Sequence, residues 1–208
     1  MHKHTCYICE NKAESFMTFG PMPIANGFLM EGRFKDEYFF EMEVAFCSHC
    51  KMFQLLNQPE PDQMFNDKYP FFTGSSEAMK SHFKKYADFI KKNYIKNNSK
   101  IIEIGSNDGT FLNNFKNSNL EYVGFEPSSN VAKIANQNKI RTLNQFFGIE
   151  SLNSVKNFIK QTDVIFAANV ICHVPNLIGL IKAVDQLLSK EGVFIFEEPY
   201  LGSMFEKT

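Results

Sequence analysis

Four cysteines in the first quarter of the chain are spaced for metal binding. Cys6 and Cys9 form one C-x-x-C pair, and Cys47 and Cys50 form another. Two residues between thiolates let one turn present both sulfurs to a single ion, and two such turns supply the four ligands of a tetrahedral zinc site. Because four thiolates leave no open position for a substrate, we expect the metal to be structural.

Other interpretations of this segment stay open at the level of sequence. Four ordinary buried cysteines would have the same composition, and a redox C-x-x-C needs only one pair. His2, His4 and His49 are spare candidate ligands. A zinc ribbon that binds nucleic acid is a further alternative, but acidic residues outnumber basic ones between the two pairs.

A second set of candidate residues lies in the carboxy-terminal half, around the segment EIGSNDG. Gly105 and Gly109 follow a strand that ends near Glu103, and they allow a tight turn and a close approach of the backbone to a ligand. Glu126 ends the next predicted strand, where an acid can accept hydrogen bonds from both ribose hydroxyls of an adenosine ligand. It could instead be a solvated acid. The glycines do not form the G-x-G-x-x-G fingerprint, which weakens a dinucleotide-binding interpretation.

His173 is a candidate for proton transfer. It follows Asn169 by four residues, just beyond the end of a predicted strand, and imidazole titrates near neutral pH. An isolated histidine is also common as a helix cap or packing residue, so that alternative stays open. The sequence contains no recognisable Ser-His-Asp or Cys-His triad and no Walker lysine. We expect Cys172 to be an ordinary semi-buried thiol.

The elements that must position these residues alternate between strand and helix from residue 99 onward. Predicted strands are KIIEIGS (100–106), EYVGFEPS (121–128), IRTLNQFF (140–147), DVIFAANVI (163–171) and GVFIFEEPY (192–200). Predicted helices are GTFLNNFKN (109–117), SNVAKIANQN (129–138), SLNSVKNFIKQ (151–161) and LIGLIKAVDQLLSK (177–190). This alternation predicts a parallel sheet with helices on both faces, whose ligands bind beyond the carboxyl ends of the strands.

The amino-terminal part predicts a separate small domain and a connecting helix. Residues 37–47, EYFFEMEVAFC, alternate as a half-buried strand does, whereas residues 21–29, PMPIANGFL, predict a loop. A helix with an N-cap at Ser75 or Ser76 follows the prolines of residues 57–63. The predicted domains are a zinc-binding domain at 1–62, a connecting turn and helix at 63–98, and a Rossmann-like domain at 99–208.

Composition limits the classes of partner. The chain has 208 residues, 44% of them hydrophobic, with 22 basic and 23 acidic side chains and a formal net charge of −1. Such a chain is globular and has no broad basic surface for nucleic acid or an anionic membrane. It has no apolar run long enough for a transmembrane helix and no secretory signal at its start. We therefore expect a cytoplasmic protein that acts on a small molecule, without nucleic-acid or membrane partners.

Several segments, taken in order, resemble one family. They are the two C-x-x-C pairs, PMPIANGFL, the Tyr-Pro-aromatic stretch with SSEAMKSHF, EIGSNDGTFL, GFEPSSNVA, ANVICHVPNL and FIFEEPYL. Together they resemble the sugar C-methyltransferases that act on nucleotide-linked 4-keto deoxysugars, and the resemblance covers essentially the whole chain. It implies an α/β fold, the class I Rossmann-like parallel sheet of S-adenosylmethionine-dependent methyltransferases, with a small amino-terminal four-cysteine zinc-binding domain. The implied cofactors are S-adenosylmethionine and Zn²⁺.

The resemblance also implies roles for individual residues. The loop after the first strand would hold the methionine and ribose parts of the cofactor, and Glu126 would bind the ribose hydroxyls. Residues from the next two strand ends would border the adenine. His173 matches an active-site histidine of the family. The cofactor-binding residues implied are Tyr69, Ser76, Glu103, Gly105, Asn107, Asp108, Gly109, Glu126, Pro127, Gln145, Phe146 and Asn169.

The chain departs from the family at its carboxyl end. In the family, FEEPYLG leads into a Tyr-His-Glu-His motif with proposed catalytic groups and then into a further sugar-binding domain. This chain stops at Thr208, after the fifth strand, whereas the class I sheet has two more strands. We therefore expect an incomplete sheet with an open edge, and a fragment, a truncated version or a shortened relative whose turnover needs the absent segment.

Three functions are compatible with these features. The first is C-methylation of a nucleotide-linked keto-deoxysugar, with this chain supplying the zinc and S-adenosylmethionine-binding parts. The second is methylation of an oxygen on a glycan or other small-molecule precursor. The third is a non-catalytic module that binds zinc and the cofactor.

Overall fold

The structure is a computed structural model that describes residues 4–25, 27–116 and 118–207. The candidate ligand His2 lies outside the described residues. Contacts divide the chain into two compact units. The first contains the described residues through Pro70 together with Pro175–Ile178, and the second contains Phe71–Val174 and the described residues from Gly179 onward.

The first unit is built on a small antiparallel sheet. Its strands are β1 (Glu14–Pro23), β2 (Phe39–Phe46) and β3 (Phe53–Leu55), in the order β1-β2-β3. A 3-10 segment at Glu31–Asp36 precedes β2, and the short helix α1 (Pro61–Met64) follows β3. β2 lies where the alternating pattern predicted a strand.

β1 was not predicted, and the end of this strand occupies part of the predicted loop 21–29. The pairing of β1 with β2 has register shifts between Ser15 and Met17 and between Thr18 and Pro21. Each shift interrupts the two-residue alternation of side chains, which is the signal that identifies a strand in a sequence.

The second unit is a five-stranded sheet with helices on both faces. Its elements are α2 (Glu77–Tyr94), β4 (Lys100–Ile104), β5 (Glu121–Phe125), α3 (Ser129–Gln137), β6 (Thr142–Leu143), β7 (Thr162–Ala168), α4 (Leu177–Leu187, from Gly179 onward), β8 (Leu188–Glu197) and α5 (Leu201–Lys207). The strand order is β6-β5-β4-β7-β8, and every pair is parallel. The predicted parallel α/β sheet is confirmed.

The core of this unit has two layers, because neighbouring residues of a strand face opposite sides of the sheet. Ile101 and Val164 pack with α2 on one face, while Ile102 and Ile165 pack with α4 on the other. All four residues are fully buried. Strands that are buried on both faces read as continuous apolar runs, which is why the sequence located β4 and β7 closely.

Two predicted helices are instead 3-10 segments. The segment after β4 is helical only at Leu112–Phe115, where Asn114 Nδ2 donates hydrogen bonds to the carbonyls of Thr110 and Phe111. The side chain thereby competes for the carbonyls that an α-helix would use. The segment Ile149–Phe158 is also 3-10 and contains a kink at Val155.

The remaining boundaries differ from the predicted ones by a few residues. The third strand is reduced to β6, since only Gly124 and Phe125 of β5 pair with it. α4 ends at Leu187, and residues 188–190 start β8 rather than extending the helix. Within the described residues no strand pairs with the outer side of β8, and Phe196 on this strand is 56% exposed. None of the described helices is long and apolar enough to cross a membrane.

Candidate functional site

The four cysteines of the two C-x-x-C pairs converge in the first unit. The sulfur atoms of Cys6 and Cys50 are 3.4 Å apart, those of Cys9 and Cys47 are 3.6 Å apart, and all four lie within 4.8 Å of one another. A tetrahedron with Zn–S bonds of about 2.3 Å has edges of about 3.8 Å, so the sulfur atoms are placed to hold one zinc ion.

The two pairs sit on turns with the same hydrogen bonds. The amide of Glu10 donates to the carbonyl of Cys6 at 3.0 Å, and that of Lys51 donates to Cys47 at 2.8 Å. Both Glu10 and Lys51 have left-handed backbones, with φ of 58° and 67°. Hydrogen bonding by the Asn11 backbone lowers the pKa of Cys9 to about 5, whereas the pKa of Cys50, against a hydrogen bond with the Met52 backbone that lowers it, is raised to about 12 by burial and the neighbouring sulfur atoms.

The two spare histidines that the structure describes, His4 and His49, do not join this cluster. Among the described residues, the only group of three or more potential metal ligands is the four cysteines. His4 and His49 are both exposed, and His49 lies in the turn between Cys47 and Cys50. Cys172, the fifth cysteine, is also exposed and lies in the second unit.

The candidate cofactor loop follows β4, beside the point where the strand order reverses. Gly105, Asn107 and Gly109 all have left-handed backbones, with φ of 69°, 49° and 81°. A Cβ on Gly105 would lie 2.4 Å from Cγ2 of Val170, so a larger residue would collide with the loop after β7. Glycine at position 105 therefore serves both the turn and the close approach of the two loops.

Glu126 lies at the carboxyl end of β5 and is 5% exposed. Its Oε2 accepts a hydrogen bond from the Asn107 amide at 3.0 Å, and its Oε1 accepts one from the Ser128 amide at 2.7 Å. A carboxylate has about four lone-pair positions, so two remain for ligand hydroxyls. Burial raises the pKa of Glu126 above its usual value, against these hydrogen bonds, which lower it.

Glu103 is the buried acid on β4 itself. Its pKa is raised well above the usual value by burial, and the charges of Glu126 and Asp108 raise it further. The Leu112 backbone hydrogen-bonds to this carboxyl group. Its Oε2 is buried without a hydrogen-bond partner among the described residues. The charges that act on Glu103 are therefore those of two other acids, and Glu103 forms no salt bridge among the described residues.

The residues predicted to border the adenine lie beyond β5 and β6. Asn144 Nδ2 donates to the carbonyls of Glu126 and Pro127, which ties the two strand ends together. Gln145 Nε2 is a buried donor with no acceptor in the part of the chain that the structure describes. Phe146 is 43% exposed. An unused donor beside an exposed ring is suited to a flat, nitrogen-containing ligand.

The loop after β7 carries Asn169 and His173. Asn169 has a left-handed backbone, with φ of 55°, and its amide donates to the carbonyl of Glu197 at 2.8 Å. His173 is exposed and ends a 3-10 turn, and its amide donates to the carbonyl of Val170. Both residues thus lie beyond a strand end, where the sequence predicted them.

Glu198 and the His82–Glu197 pair were not predicted from the sequence. Glu198 Oε1 accepts hydrogen bonds from the amides of Val170 and Ile171, at 2.8 and 2.6 Å, and so fixes the loop after β7. His82 Nε2 lies 2.8 Å from Glu197 Oε2, which links α2 to the end of β8. The sequence offers one signal for Glu197 and Glu198, namely two adjacent glutamates near the end of a predicted strand. The contact between His82 and Glu197 cannot be predicted from a single sequence, because the two residues lie 115 positions apart.

Ser76 and Tyr69 precede the five-stranded sheet in the sequence. Ser76 is the N-cap of α2, and its Oγ accepts a hydrogen bond from the Met79 amide at 3.3 Å. Tyr69 belongs to the first unit, where its ring packs against that of Phe65 with centroids 5.8 Å apart. The side chains of Asn107 and Asp108 bind the backbone of residues 71–74.

Comparisons with known proteins agree with this two-part organisation. A family model described as a methyltransferase domain matches residues 79–207, and a model described as a zinc binding domain matches residues 6–65. These are the two domains, in the same order, that the resemblance in the sequence predicted.

One curated relative is C-methyltransferase NovU from Streptomyces niveus, 26% identical over 187 residues. The alignment covers 89% of this chain but only 44% of NovU, so the chain spans less than half the length of this relative. Among solved structures, the PH0226 protein of Pyrococcus horikoshii aligns with a TM-score of 0.52 at 17% identity, covering 66% of each chain.

A second solved structure belongs to a Methanococcus maripaludis protein assigned as an S-adenosyl-L-methionine-dependent methyltransferase. It aligns with a TM-score of 0.50 at 14% identity and covers 67% of each chain. At these identities the two structures establish the fold alone, and they confirm the predicted fold class.

Proposed function

Because the chain belongs to the methyltransferase-domain family, we propose that it binds S-adenosylmethionine at the carboxyl edge of its parallel sheet and serves methyl transfer to a carbon of a nucleotide-linked keto-deoxysugar. The observation that carries the proposal is the position of Glu126. This buried carboxylate stands at the end of β5, hydrogen-bonded to the amide of Asn107 in the loop after β4. It is the arrangement that binds the two hydroxyls of an adenosine ribose.

The residues of this edge fit the cofactor. Glu126 keeps acceptor positions for two hydroxyls, and Gln145 Nε2 is a buried donor without an acceptor among the described residues, suited to a ring nitrogen of adenine. The left-handed backbone of Gly105 lets the loop after β4 approach a ligand closely. S-adenosylmethionine supplies a methyl group on a positively charged sulfur, which makes that methyl group electrophilic.

The proton chemistry is assigned to the loop after β7. A ketone acidifies the adjacent C–H bond, and removal of that proton leaves an electron pair on carbon. In the proposal, the imidazole of His173 accepts this proton or polarises the keto oxygen. Glu198 supports the role indirectly, because its hydrogen bonds to the amides of Val170 and Ile171 hold the start of the 3-10 turn that ends at His173.

The choice of a carbon acceptor rests on two further observations. The relative from Streptomyces niveus is named a C-methyltransferase, and the chain combines a zinc-binding-domain match with a methyltransferase-domain match. The resemblance of the sequence motifs to the sugar C-methyltransferases implies nucleotide-linked deoxysugars as acceptors. The proposal places the reaction in the cytoplasm, where reducing conditions keep all five cysteines out of disulfides and leave four of them able to hold zinc.

The test is a transfer assay on this chain extended at its carboxyl end by the segment that the family resemblance implies, with S-adenosylmethionine that carries a ¹³C-labelled methyl group and a nucleotide-linked 4-keto-6-deoxyhexose. The proposal predicts a product with the label bonded to a ring carbon, detected by NMR, and a lower rate for His173→Gln. A label on oxygen would favour the alternative, an O-methyltransferase for a glycan or other small-molecule precursor. Cofactor binding without any transfer would leave this chain as a non-catalytic binding part, and an unchanged rate for His173→Gln would remove the role of that residue.

A further inference from the structure

The residues immediately before α2 are attached to the cofactor loop by three hydrogen bonds. Asn107 Nδ2 donates to the carbonyl of Phe71 at 3.0 Å, and the amide of Thr73 donates to Asn107 Oδ1 at 2.9 Å. The amide of Gly74 donates to Asp108 Oδ2 at 2.7 Å. We call these three bonds the latch. Each joins a side chain of the loop to the backbone of the preceding segment.

The latched segment, residues 71–76, is called the strap. It makes a 3-10 turn at Thr73–Ser75 and leads directly into the N-cap of α2 at Ser76. Ser75 Oγ also donates to the carbonyl of Phe72 at 2.7 Å. The turn and the cap are local bonds within the strap, whereas the latch joins the strap to the loop after β4.

Asn107 connects the strap to the acid at the end of β5. Its carboxamide has an NH₂ group that donates and an oxygen that accepts, and each makes one hydrogen bond to the backbone of the strap. Its own backbone amide donates to Glu126 Oε2. One residue therefore holds the strap with its side chain and the predicted ribose acid with its backbone. Asparagine tolerates the left-handed backbone that this geometry requires.

The contact at Gly74 leaves no room for a larger residue. A Cβ at this position would lie 2.9 Å from Asp108 Oδ2 and 3.0 Å from Thr110 Oγ1. Asp108 is nearly buried, and its other oxygen accepts a hydrogen bond from Thr110 Oγ1 at 2.6 Å. Both oxygens of Asp108 are thus engaged by the protein, one on the strap and one on the loop.

We propose that Asn107 and Asp108 are positioning residues, whose side chains hold the strap against the cofactor loop, and that cofactor affinity depends on this latch. The inference rests on the proposed function, since it takes the loop after β4 to be the cofactor site. It reassigns two residues that the family resemblance linked to the cofactor itself. Fixing the backbone of a residue has an entropic cost, so a strap that is already ordered removes that cost from ligand binding.

The first arm of the test measures the latch without any ligand. Asn107→Gly removes the carboxamide but keeps the left-handed backbone and its amide. The matched control is Asn98→Gly, the same change at another left-handed asparagine, φ 63°, before the amino end of β4. Hydrogen exchange at the amides of Thr73 and Gly74 should be about tenfold faster in Asn107→Gly, the effect of one to two lost hydrogen bonds, and unchanged in Asn98→Gly.

The second arm measures the dissociation constant of S-adenosylhomocysteine by calorimetry. Asn107→Gly and Gly74→Ala break the latch from opposite sides, and each should weaken binding by about tenfold, in line with the lost hydrogen bonds. Because both changes break the same latch, the double variant should bind about tenfold more weakly than the unmodified chain, as each single variant does. If the two residues contacted the ligand independently, their effects would multiply, and the double variant would bind about a hundredfold more weakly than the unmodified chain. Asn98→Gly should bind as the unmodified chain does.

The outcomes separate the latch from the proposed function. Unchanged exchange at Thr73 and Gly74 in Asn107→Gly overturns the latch. Faster exchange with unchanged affinity overturns its link to the cofactor, and so does a multiplicative double variant. If the unmodified chain binds no S-adenosylhomocysteine, the proposed function fails and the link fails with it, while the exchange arm still decides whether the latch exists.

Discussion

At the scale of single residues, the candidate site is dominated by three acids without a salt-bridge partner among the described residues. Glu103, Asp108 and Glu126 stand at neighbouring strand ends, and each is buried or nearly so. Burial raises the pKa of Glu103 well above its usual value, and the charges of the other two acids add to the effect. Such clustering destabilises the ligand-free fold and is characteristic of functional sites.

The raised pKa of Glu103 predicts how stability changes with pH. A carboxyl whose pKa is higher in the folded than in the unfolded state holds its proton better when folded, so its contribution to stability is lost as the pH rises from the ordinary value through the folded one. Within that window the free energy of unfolding should fall by up to about 1.4 kcal/mol per pH unit from this group alone.

Glu103→Gln removes this titration. Thermal unfolding between about pH 5 and about pH 8 should show a smaller loss of stability with rising pH in the variant than in the unmodified chain. Exposed Glu191→Gln is the control and should keep the original slope. Parallel curves for Glu103→Gln and the unmodified chain would show that Glu103 is ionised in the folded state across the range.

The sequence predicted the positions of these residues better than their contacts. Glu126 and Gly105 follow from one rule, that ligands bind beyond the carboxyl ends of parallel strands, and the structure places both there. The partners of Asn107 and Asp108 lie 34 residues away in the chain, and the partner of His82 lies 115 residues away. Hydrophobic periodicity carries no information about which polar groups meet after folding.

At the scale of elements, strands and helices with strong apolar patterns were predicted well. β4, β5, β7 and α2 lie where the sequence placed them, because burial on both faces or on one stripe fixes the pattern. The errors fall on β1, where register shifts interrupt the alternation, and on the segment after β4, where Asn114 side-chain bonds replace an α-helix. The register shifts in β1 and the side-chain hydrogen bonds of Asn114 thus override the sequence pattern from which secondary structure is predicted.

The small sheet of the first unit depends on its cysteines. The buried residues of its core cluster are Cys6, Ala13, Ala45 and Cys47, which is little apolar area for a unit of this length. Large side chains on the strands, such as Phe16 and Phe53, are exposed. Domains of this kind usually require a metal for stability, because metal binding supplies the free energy that a small core lacks.

Cys47→Ser should therefore abolish zinc binding and unfold this sheet. Metal analysis should give about one zinc per chain for the unmodified protein and close to none for the variant, and proteolysis should cut residues 14–55 of the variant first. Cys172→Ser is the control, because Cys172 lies outside the cluster and should keep the zinc content unchanged. A full zinc content in Cys47→Ser would contradict the four-cysteine site.

At the scale of the whole molecule, the chain joins a four-cysteine unit to a parallel sheet with a candidate adenosine site. The match to the methyltransferase domain covers residues 79–207, and the match to the zinc binding domain covers residues 6–65. The chain spans 44% of NovU. Three residues of the proposed cofactor site, Glu126, Gly105 and Gln145, lie in the second unit.

The most direct test of this account is a calorimetric titration of the chain with S-adenosylhomocysteine. We expect micromolar binding, about 8 kcal/mol, and a loss of about 30-fold for Glu126→Gln, because a carboxamide has no charge and only one acceptor oxygen in place of two. Glu121→Gln, at the amino end of the same strand, should bind normally. No binding by the unmodified chain, or equal affinity for Glu126→Gln, would contradict the assignment of this edge as the cofactor site.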